Sequence, residues 1–207
     1  ELLLNREGDI RRQAAALIGK MFANFNAGYR KEIPADMADL DDRQARTLWE
    51  AYMEKLICPD YRLTLQQKRR IQNSLKYVLL SGIEHSDDRV REEMLTIFYR
   101  WFDGSHELDE DARFALLDAV FSMPAELCAR SGRLDCLAEF AVDNMDHEDD
   151  RVRVAAVRAL KVLTSVVTRE NACYERVRKA VTEMDTGSIT MVFLQYRILT
   201  NLRLDTE

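Results

Sequence analysis

The stretch HEDDRVR at residues 147–153 decides the fold of this chain, because it occurs twice. Residues 85–91 read HSDDRVR, so six of the seven positions are identical, and the two copies lie 62 residues apart. Self-similarity of this kind is typical of proteins built from stacked helical repeats. The hydrophobic pattern continues for two more helical turns in both copies, where Met94, Ile97 and Phe98 match Ala156, Ala159 and Leu160.

A third and weaker copy lies near the start of the chain, where Ile10 and Arg11 precede small and apolar residues at helical spacing. All three copies share the order acidic residue, apolar residue, arginine and then small or apolar residues. The acidic residues can cap a helix N-terminus, and the small residues let a neighbouring helix pack closely. We predict that each arginine pairs within or between repeats, and that Arg153→Ala lowers the melting temperature. The predicted structural repeat positions are Arg11, Asp87, Val90, Arg91, Asp149, Val152 and Arg153.

Nearly every other segment also has helical periodicity, and none shows the alternation of a convincing β-strand. Seven glycines and three prolines are too few for the many turns of a β-sandwich or barrel. The sequence therefore predicts an all-α protein of about ten helices, with antiparallel neighbours joined by short connections. The predicted helices cover residues 11–23, 41–57, 64–82, 87–103, 109–123, 149–167, 170–184 and 188–204, with two more pieces within residues 125–145.

Residues 1–207 are interpreted as a single helical-repeat segment. Residues 24–40 form its longest irregular stretch, and we expect this loop to contribute to a binding surface, because long loops in compact domains are often functional. The chain begins at Glu1 without a methionine and continues as three leucines, like the end of a helix, so we expect a fragment of a longer protein. The repeat-like helices lie near residues 9–23, 87–103 and 149–167.

Residues 148–160, EDDRVRVAAVRAL, resemble the second helix of a HEAT repeat, whose core reads D-x-x-V-R-x-x-A-x-x-A-L. The resemblance implies an irregular HEAT-type α-solenoid, within the HEAT and armadillo class, whose extended surface binds peptides, other subunits or nucleic acid. The three copies are spaced more widely than the ~40–47 residues usual for these families, so the array is degenerate.

Two further segments resemble a group of chromosome-organising HEAT proteins. Residues 16–22, ALIGKMF, and residues 48–56, LWEAYMEKL, are similar to repeats of the cohesin accessory family named for precocious dissociation of sisters. In that family a leucine-rich helix ending in phenylalanine precedes an L-W-x-x-[FY]-x-x-[RK] helix, and the segment between them is longer here. The likeness implies a scaffold in a cohesin- or condensin-like complex, with a nuclear rather than a cytoplasmic location.

Composition and motifs argue against several classes of function. A net charge of −6 argues against a dedicated non-specific nucleic-acid binder, which usually carries a positive balance. The four cysteines include no C-x-x-C pair and do not cluster with the three histidines, so we expect an intracellular protein without a metal or cofactor. No phosphate-binding or hydrolase motif is present, and we predict a non-enzyme. The longest uncharged run, residues 186–196, is too short to span a bilayer, and no membrane partner is expected.

The densest basic stretch lies between residues 62 and 76, where one helix is predicted to present Lys68, Gln72 and Lys76 on an exposed face. This face is either simply solvated or contacts phosphate or an acidic peptide. The residues proposed here for partner binding are Arg62, Lys68, Arg69 and Lys76. A second basic row contains Arg151, Arg158 and Lys161.

Two apolar features also have alternative interpretations. Trp49 and Trp101 lie on apolar helical stripes, and we expect them in the core rather than at a binding surface. Residues 189–194 are apolar on more than one helical face. The outer face is expected to stack on a further repeat, and a partner or dimer contact is the alternative.

The sequence as a whole favours a non-enzymatic HEAT-repeat scaffold or adaptor that binds other proteins. The alternative is a nucleic-acid-binding helical-repeat module that uses the basic helix at residues 62–76. Salt dependence separates these two, because phosphate binding weakens steeply as salt is added. A third class, an enzyme on HEAT-like repeats such as a DNA base-excision enzyme, requires an aromatic cleft with a convergent carboxylate, and the sequence offers no such set.

Overall fold

The computed structural model describes residues 1–26, 42–130 and 132–204, and all regular secondary structure in these ranges is helical. The predicted all-α class is confirmed. Helix α1 (Gly8–Asn26) extends into the predicted loop of residues 24–40, and the rest of that loop lies outside the described residues. None of the described helices combines the length and the apolar character that crossing a membrane requires.

The chain divides into two compact units, Glu1–Arg100 and Trp101–Glu207. A single repeat segment over the whole chain stays a prediction. The first unit contains a short 3-10 helix (Leu2–Leu4), α1, α2 (Asp42–Ile57), α3 (Leu65–Gln72), α4 (Leu75–Ile83) and α5 (Asp88–Tyr99). A 3-10 turn (Arg100–Phe102) follows α5, and its last two residues belong to the second unit. The second contains α6 (Glu110–Ser122), α7 (Ala125–Arg130), α8 (Leu134–Asp143), α9 (Asp150–Leu163), α10 (Tyr174–Glu183) and α11 (Ile189–Leu204).

The first unit is organised around a close contact between α1 and α4. Gly19 of α1 lies against the backbone of Val78 and Gly82 in α4, because no side chain on the glycine separates the two helices. Beside this contact, the ring of Phe22 packs on Trp49 with centroids 4.7 Å apart. Trp49 is fully buried, which confirms that it belongs to the core.

The second unit is built on α9, which packs against α6, α8 and α11. The inner side of α9 combines three alanines with branched residues, so neighbouring helices can approach closely. Trp101 is also buried, as expected, and stacks on His106 with ring centroids 4.2 Å apart. The buried residues of α9 are Val152, Ala155, Ala156, Val157, Ala159, Leu160 and Leu163.

The prediction of one helix over residues 64–82 is wrong, because the chain turns between α3 and α4. The backbone N–H of Ser74 donates to the carbonyl oxygen of Ile71 at 2.9 Å, only three residues back. The Ser74 hydroxyl donates to the carbonyl oxygen of Arg70 at 2.8 Å. A serine side chain thus takes over a carbonyl that a continuous helix would use, and the helix tightens and ends.

Gln72 was predicted to share an exposed face with Lys68 and Lys76, and this prediction is also wrong. The Gln72 side chain is buried, and its Nε2 donates to the carbonyl oxygen of Ile57 at 2.9 Å. That carbonyl lies at the end of α2 and has no partner within its own helix. The glutamine therefore joins α3 to the end of α2.

Helix α9 ends at Leu163, before the predicted end at residue 167. Side chains satisfy the carbonyl oxygens of its last turn. The hydroxyl of Ser165 donates to the carbonyl oxygen of Val162 at 2.6 Å, and Nδ2 of Asn201 in α11 donates to that of Lys161 at 3.2 Å. The last turn is thereby capped by residues outside the helix.

Candidate binding groove and repeated loops

The residue that opens each repeated loop closes the turn before its helix with a side-chain hydrogen bond. Nδ1 of His85 accepts the backbone N–H two residues on at 3.0 Å, and Nδ1 of His147 does the same at 3.1 Å. In the weaker copy Oδ1 of Asn5 accepts the corresponding N–H at 2.9 Å. Sequence comparison missed Asn5, although it stands six residues before Arg11, just as His85 stands six residues before Arg91.

The arginine of each copy is bonded to the loop that precedes its own helix. Nη1 of Arg11 donates to the carbonyl oxygen six residues earlier at 2.7 Å, and Nη1 of Arg153 does so at 2.8 Å. Arg91 makes the equivalent bond. Arg91 and Arg153 also form ion pairs with Asp88 and Asp150 in the first turn of the helix. These contacts lie within one repeat and join its loop to its helix.

The remaining predicted repeat positions lie at the helix starts. The carboxylates of Asp87 and Asp149 cap α5 and α9, where each accepts the backbone N–H two residues on, at 2.9 and 2.7 Å respectively. Val90 and Val152 follow and are buried. The structure therefore places all the predicted repeat positions in the loops and first helical turns.

The four basic residues predicted to bind a partner do not share one helix. Arg62 lies in the loop before α3 and forms a bidentate pair with Asp60, which lowers the pKa of that carboxyl to about 2. Lys68 and Arg69 are half-buried on α3. Lys76 is on α4, with its Nζ 5.3 Å from the ring centroid of the neighbouring tyrosine. Partner binding by these residues stays a prediction.

Helices α6 and α9 carry two stacked pairs of arginine and phenylalanine. The guanidinium carbon of Arg151 lies 5.8 Å from the ring centroid of Phe114, and that of Arg158 lies 5.9 Å from the ring centroid of Phe121. The pairs are seven residues apart on both helices, so α6 and α9 run in the same direction. The pair of Arg151 and Phe114 is here named the first rung, and the pair of Arg158 and Phe121 the second rung. The groove between them, here named the α6–α9 groove, encloses about 310 Å³ and is lined by Phe114, Asp118, Phe121, Asp150, Arg151, Val154, Ala155 and Arg158.

The two rungs differ in charge. In the first rung, Arg151 pairs through Nη1 with Asp111 at 2.9 Å and through Nη2 with Asp149 at 2.6 Å. Hydrogen bonding from Arg151 lowers the pKa of the Asp149 carboxyl to about 2. In the second rung, Arg158 has no ion pair within the described ranges. The first guanidinium is therefore neutralised by the protein itself, and the second is open to a partner.

We expect the first rung to stabilise the protein less as the pH is lowered. The pKa of Asp149 is about 2 in the folded protein and 3.8 ordinarily, so its stabilisation is present above about pH 4 and is lost as the pH falls towards 2. Arg151→Met should therefore flatten the pH dependence of the unfolding free energy in this window, measured by urea titration at several pH values. The matched control is Arg169→Met at an exposed position. Equal slopes for wild type and Arg151→Met would contradict the assignment.

A second cavity of about 620 Å³ adjoins the α6–α9 groove, between α9 and the segment leading into α11. The two spaces share Asp150 and Val154, so an open surface crosses the N-terminal half of α9. The rest of its lining consists of three methionines, two aspartates, an arginine, a glycine and a serine, namely Met145, Met184, Met191, Asp146, Asp185, Arg153, Gly187 and Ser188.

Helix α11 has apolar side chains on two faces, as the sequence predicts for residues 189–194. Leu194, Ile198 and Leu202 are buried on the face of α11 that packs against α9 and α10. Stacking of the outer face on a further repeat, a partner or a second copy stays a prediction. The exposed apolar residues are Ile189, Val192, Phe193 and Tyr196.

The sequence predicts a protein without a metal or a cofactor. In the part of the chain that the structure describes, no group of three or more His, Cys, Asp or Glu side chains could hold a metal ion. Burial raises the pKa of the Cys173 thiol to about 12, and Asp135 acts in the same direction. Burial also raises the pKa of Cys136. These two thiols stay protonated at neutral pH, whereas a nucleophilic cysteine requires a lowered pKa.

Comparisons with known proteins concern the fold alone. No protein-family model matches the chain, and the comparison with curated proteins found no match. Among solved structures it is similar to the designed armadillo repeat protein YIII(Dq)4CqI, with 12% identity and a TM-score of 0.49 over 97% of this chain and 79% of that one. It is also similar to an engineered protein, Northeast Structural Genomics Consortium target OR329, with 12% identity and a TM-score of 0.45 over 99% of this chain and 94% of that one.

Proposed function

We propose that this chain is a non-enzymatic helical-repeat adaptor that binds an extended segment of a partner protein along the α6–α9 groove, with one acidic residue of that segment held at Arg158. The observation that carries the proposal is the difference between the two rungs. In the first, Arg151 is neutralised by Asp111 and Asp149. In the second, Arg158 stands over Phe121 without a carboxylate partner among the described residues.

The second rung offers a partner two kinds of contact at one place. A guanidinium can donate two parallel hydrogen bonds to a carboxylate, which gives both strength and direction. Phe121 is half-buried, so part of its ring remains available for apolar contact, and Val154 and Ala155 extend this apolar surface. The lining therefore fits a glutamate or aspartate next to an apolar residue. Because Asp118 lines the same groove, a single acidic residue is favoured over an acidic run.

Selection from a random-sequence peptide library displayed on phage tests this proposal. We expect the selected peptides to place one acidic residue beside an apolar one. Binding of a selected peptide, made synthetically and labelled, should weaken at least about tenfold in Arg158→Glu, because the charge that holds its carboxylate is reversed. Fluorescence anisotropy measures the change in Kd.

The control is Arg169→Glu, which makes the same charge change at an exposed position outside the groove. It should leave the Kd within about twofold of wild type. Peptides selected without an acidic residue, or peptides bound equally well by wild type and Arg158→Glu, would contradict the proposal. Circular dichroism spectra confirm that both variants stay folded.

Nucleic-acid binding through residues 62–76 is the alternative proposal. It is supported by Tyr61, which is 84% exposed next to the basic residues and could stack on a base. Binding of labelled duplex and single-stranded DNA at low and near-physiological salt tests it. A steep salt dependence that disappears in the double variant Lys68→Glu/Arg69→Glu would favour this alternative over the α6–α9 groove.

A place in a cohesin- or condensin-like complex in the nucleus is a further proposal. It rests on the sequence resemblance of residues 16–22 and 48–56, and in this protein Phe22 at the end of the first segment packs on Trp49 in the second. Immunoprecipitation of the tagged protein from nuclear extract tests it. Recovery of cohesin or condensin subunits is expected, and their absence from the precipitate would count against the proposal.

A further inference from the structure

The first unit contains an open apolar cavity that the proposed adaptor function does not use. It lies between the 3-10 helix Leu2–Leu4 and helices α1, α2 and α3, and its volume is about 570 Å³. This volume lies within the range of pockets that hold small molecules. Leu17 at its edge is 68% exposed, so the aliphatic surface is open to a ligand. The walls are formed chiefly by Leu3, Leu4, Leu17, Ile18, Leu56 and Ile71.

Tyr52 and Lys55, whose side chains carry hydrogen-bond donors, are among the residues that line this cavity. They are three residues apart on α2 and therefore lie on the same side of the helix. The ring of Tyr52 packs on Phe22, with centroids 5.2 Å apart, and burial raises its pKa to about 12, so the hydroxyl stays protonated. In the described residues, neither the Tyr52 hydroxyl nor the Lys55 ammonium has a hydrogen bond or an ion pair. Glu1, which is exposed, also lies at the rim.

We propose that this cavity binds a free fatty acid, with its carboxylate held by Lys55 and Tyr52 and its chain against the aliphatic walls. The headgroup follows from charge complementarity, since the Lys55 ammonium and the Tyr52 hydroxyl can both donate to a carboxylate. The choice of an alkyl chain for the ligand follows from the lining of the cavity, in which leucine and isoleucine predominate and Tyr52 supplies the aromatic ring. An apolar pocket with a few polar groups that orient the ligand is the usual form of such a site.

A series of carboxylates of increasing length tests whether the alkyl chain of the ligand enters the cavity. Octanoate, decanoate and dodecanoate are titrated into the whole protein below their micellar concentrations, and the Kd is measured by calorimetry. Each added methylene that enters the cavity should lower the Kd about fourfold, so each two-carbon step should lower it about fifteenfold. An affinity independent of chain length would overturn the proposal.

Substitutions test the headgroup. Lys55→Met keeps the length of the side chain but removes its charge, and it should weaken dodecanoate binding about tenfold while leaving dodecanol binding unchanged. Tyr52→Phe should weaken dodecanoate binding less. The matched control is Lys20→Met, which removes an exposed lysine of α1 outside the cavity.

The comparison of the two ligands separates a headgroup contact from a general loss of fold. A Lys55→Met protein that binds both dodecanoate and dodecanol as the wild type does would overturn the assignment of the carboxylate. Dodecanol bound as tightly as dodecanoate by the wild type would do the same. Removing the rim carboxylate by Glu1→Gln should leave dodecanoate binding equal or tighter, and weaker binding would also contradict the proposed headgroup position.

Discussion

Gly19→Ala is expected to destabilise the first unit by about 3 kcal/mol or more, because the added methyl group meets backbone rather than side chain. A Cβ atom at this position would overlap the carbonyl oxygen of Val78 and would lie 3.0 Å from the Val78 carbonyl carbon and 3.1 Å from the Gly82 nitrogen. These atoms belong to α4 and cannot move aside without separating α4 from α1. In an exposed helix the same substitution would stabilise by about 0.5–1 kcal/mol, so the sign itself tests the contact.

Gly82→Ala is the matched control for this prediction. It adds the same methyl group on the other helix of the pair, but there the group meets Sδ and Cε of Met94. The end of a methionine side chain is flexible and can rotate away, so the cost should be well below that of Gly19→Ala. Urea titration gives both unfolding free energies. An equal loss of unfolding free energy in the two variants would show that Gly19 is not required for the close approach of α1 and α4.

Trp49→Ala is expected to cost about 3–5 kcal/mol, because it empties the largest fully buried site of the first unit. The ring packs on both Phe22 and Tyr52, and its removal leaves a cavity beside these two rings. Trp49→Phe should cost less. It retains an aromatic ring and also removes the indole N–H, which is buried without a hydrogen-bond partner in the described structure.

The control for Trp49 is Tyr61→Ala, which removes a ring that is 84% exposed and should change the unfolding free energy by less than about 0.5 kcal/mol. Thermal and urea unfolding compare the three variants. The result also separates a core tryptophan from a binding anchor. A Trp49→Ala protein as stable as the wild type would contradict the core assignment.

Local sequence determined the helices, the repeat and most of the caps. Asp87 and Asp149 accept N–H groups only two residues away, and Arg11, Arg91 and Arg153 reach carbonyl groups six residues away. Such contacts require only the order of residues, so a repeated order gives a repeated structure. Helical periodicity likewise predicted the all-α class. It missed the division of the predicted helix 64–82 at Ser74 and the early end of α9 near Ser165, where serine hydroxyls bind helix carbonyl oxygens.

Only the tertiary structure decided the surfaces where ligands are proposed to bind. The basic residues at 62–76 stand out in the sequence. In the structure, however, the Gln72 side chain is buried and donates a hydrogen bond to a carbonyl oxygen of α2, which interrupts the predicted exposed row of polar side chains. Arg151 and Arg158 were identified as a basic row, but the rings of Phe114 and Phe121 and the carboxylate of Asp111 come from α6, many residues away. The cavity proposed to bind a fatty acid is likewise lined by residues from four separate elements. Which distant side chains neutralise a charge or leave it open depends on helix packing, and no local pattern encodes that packing.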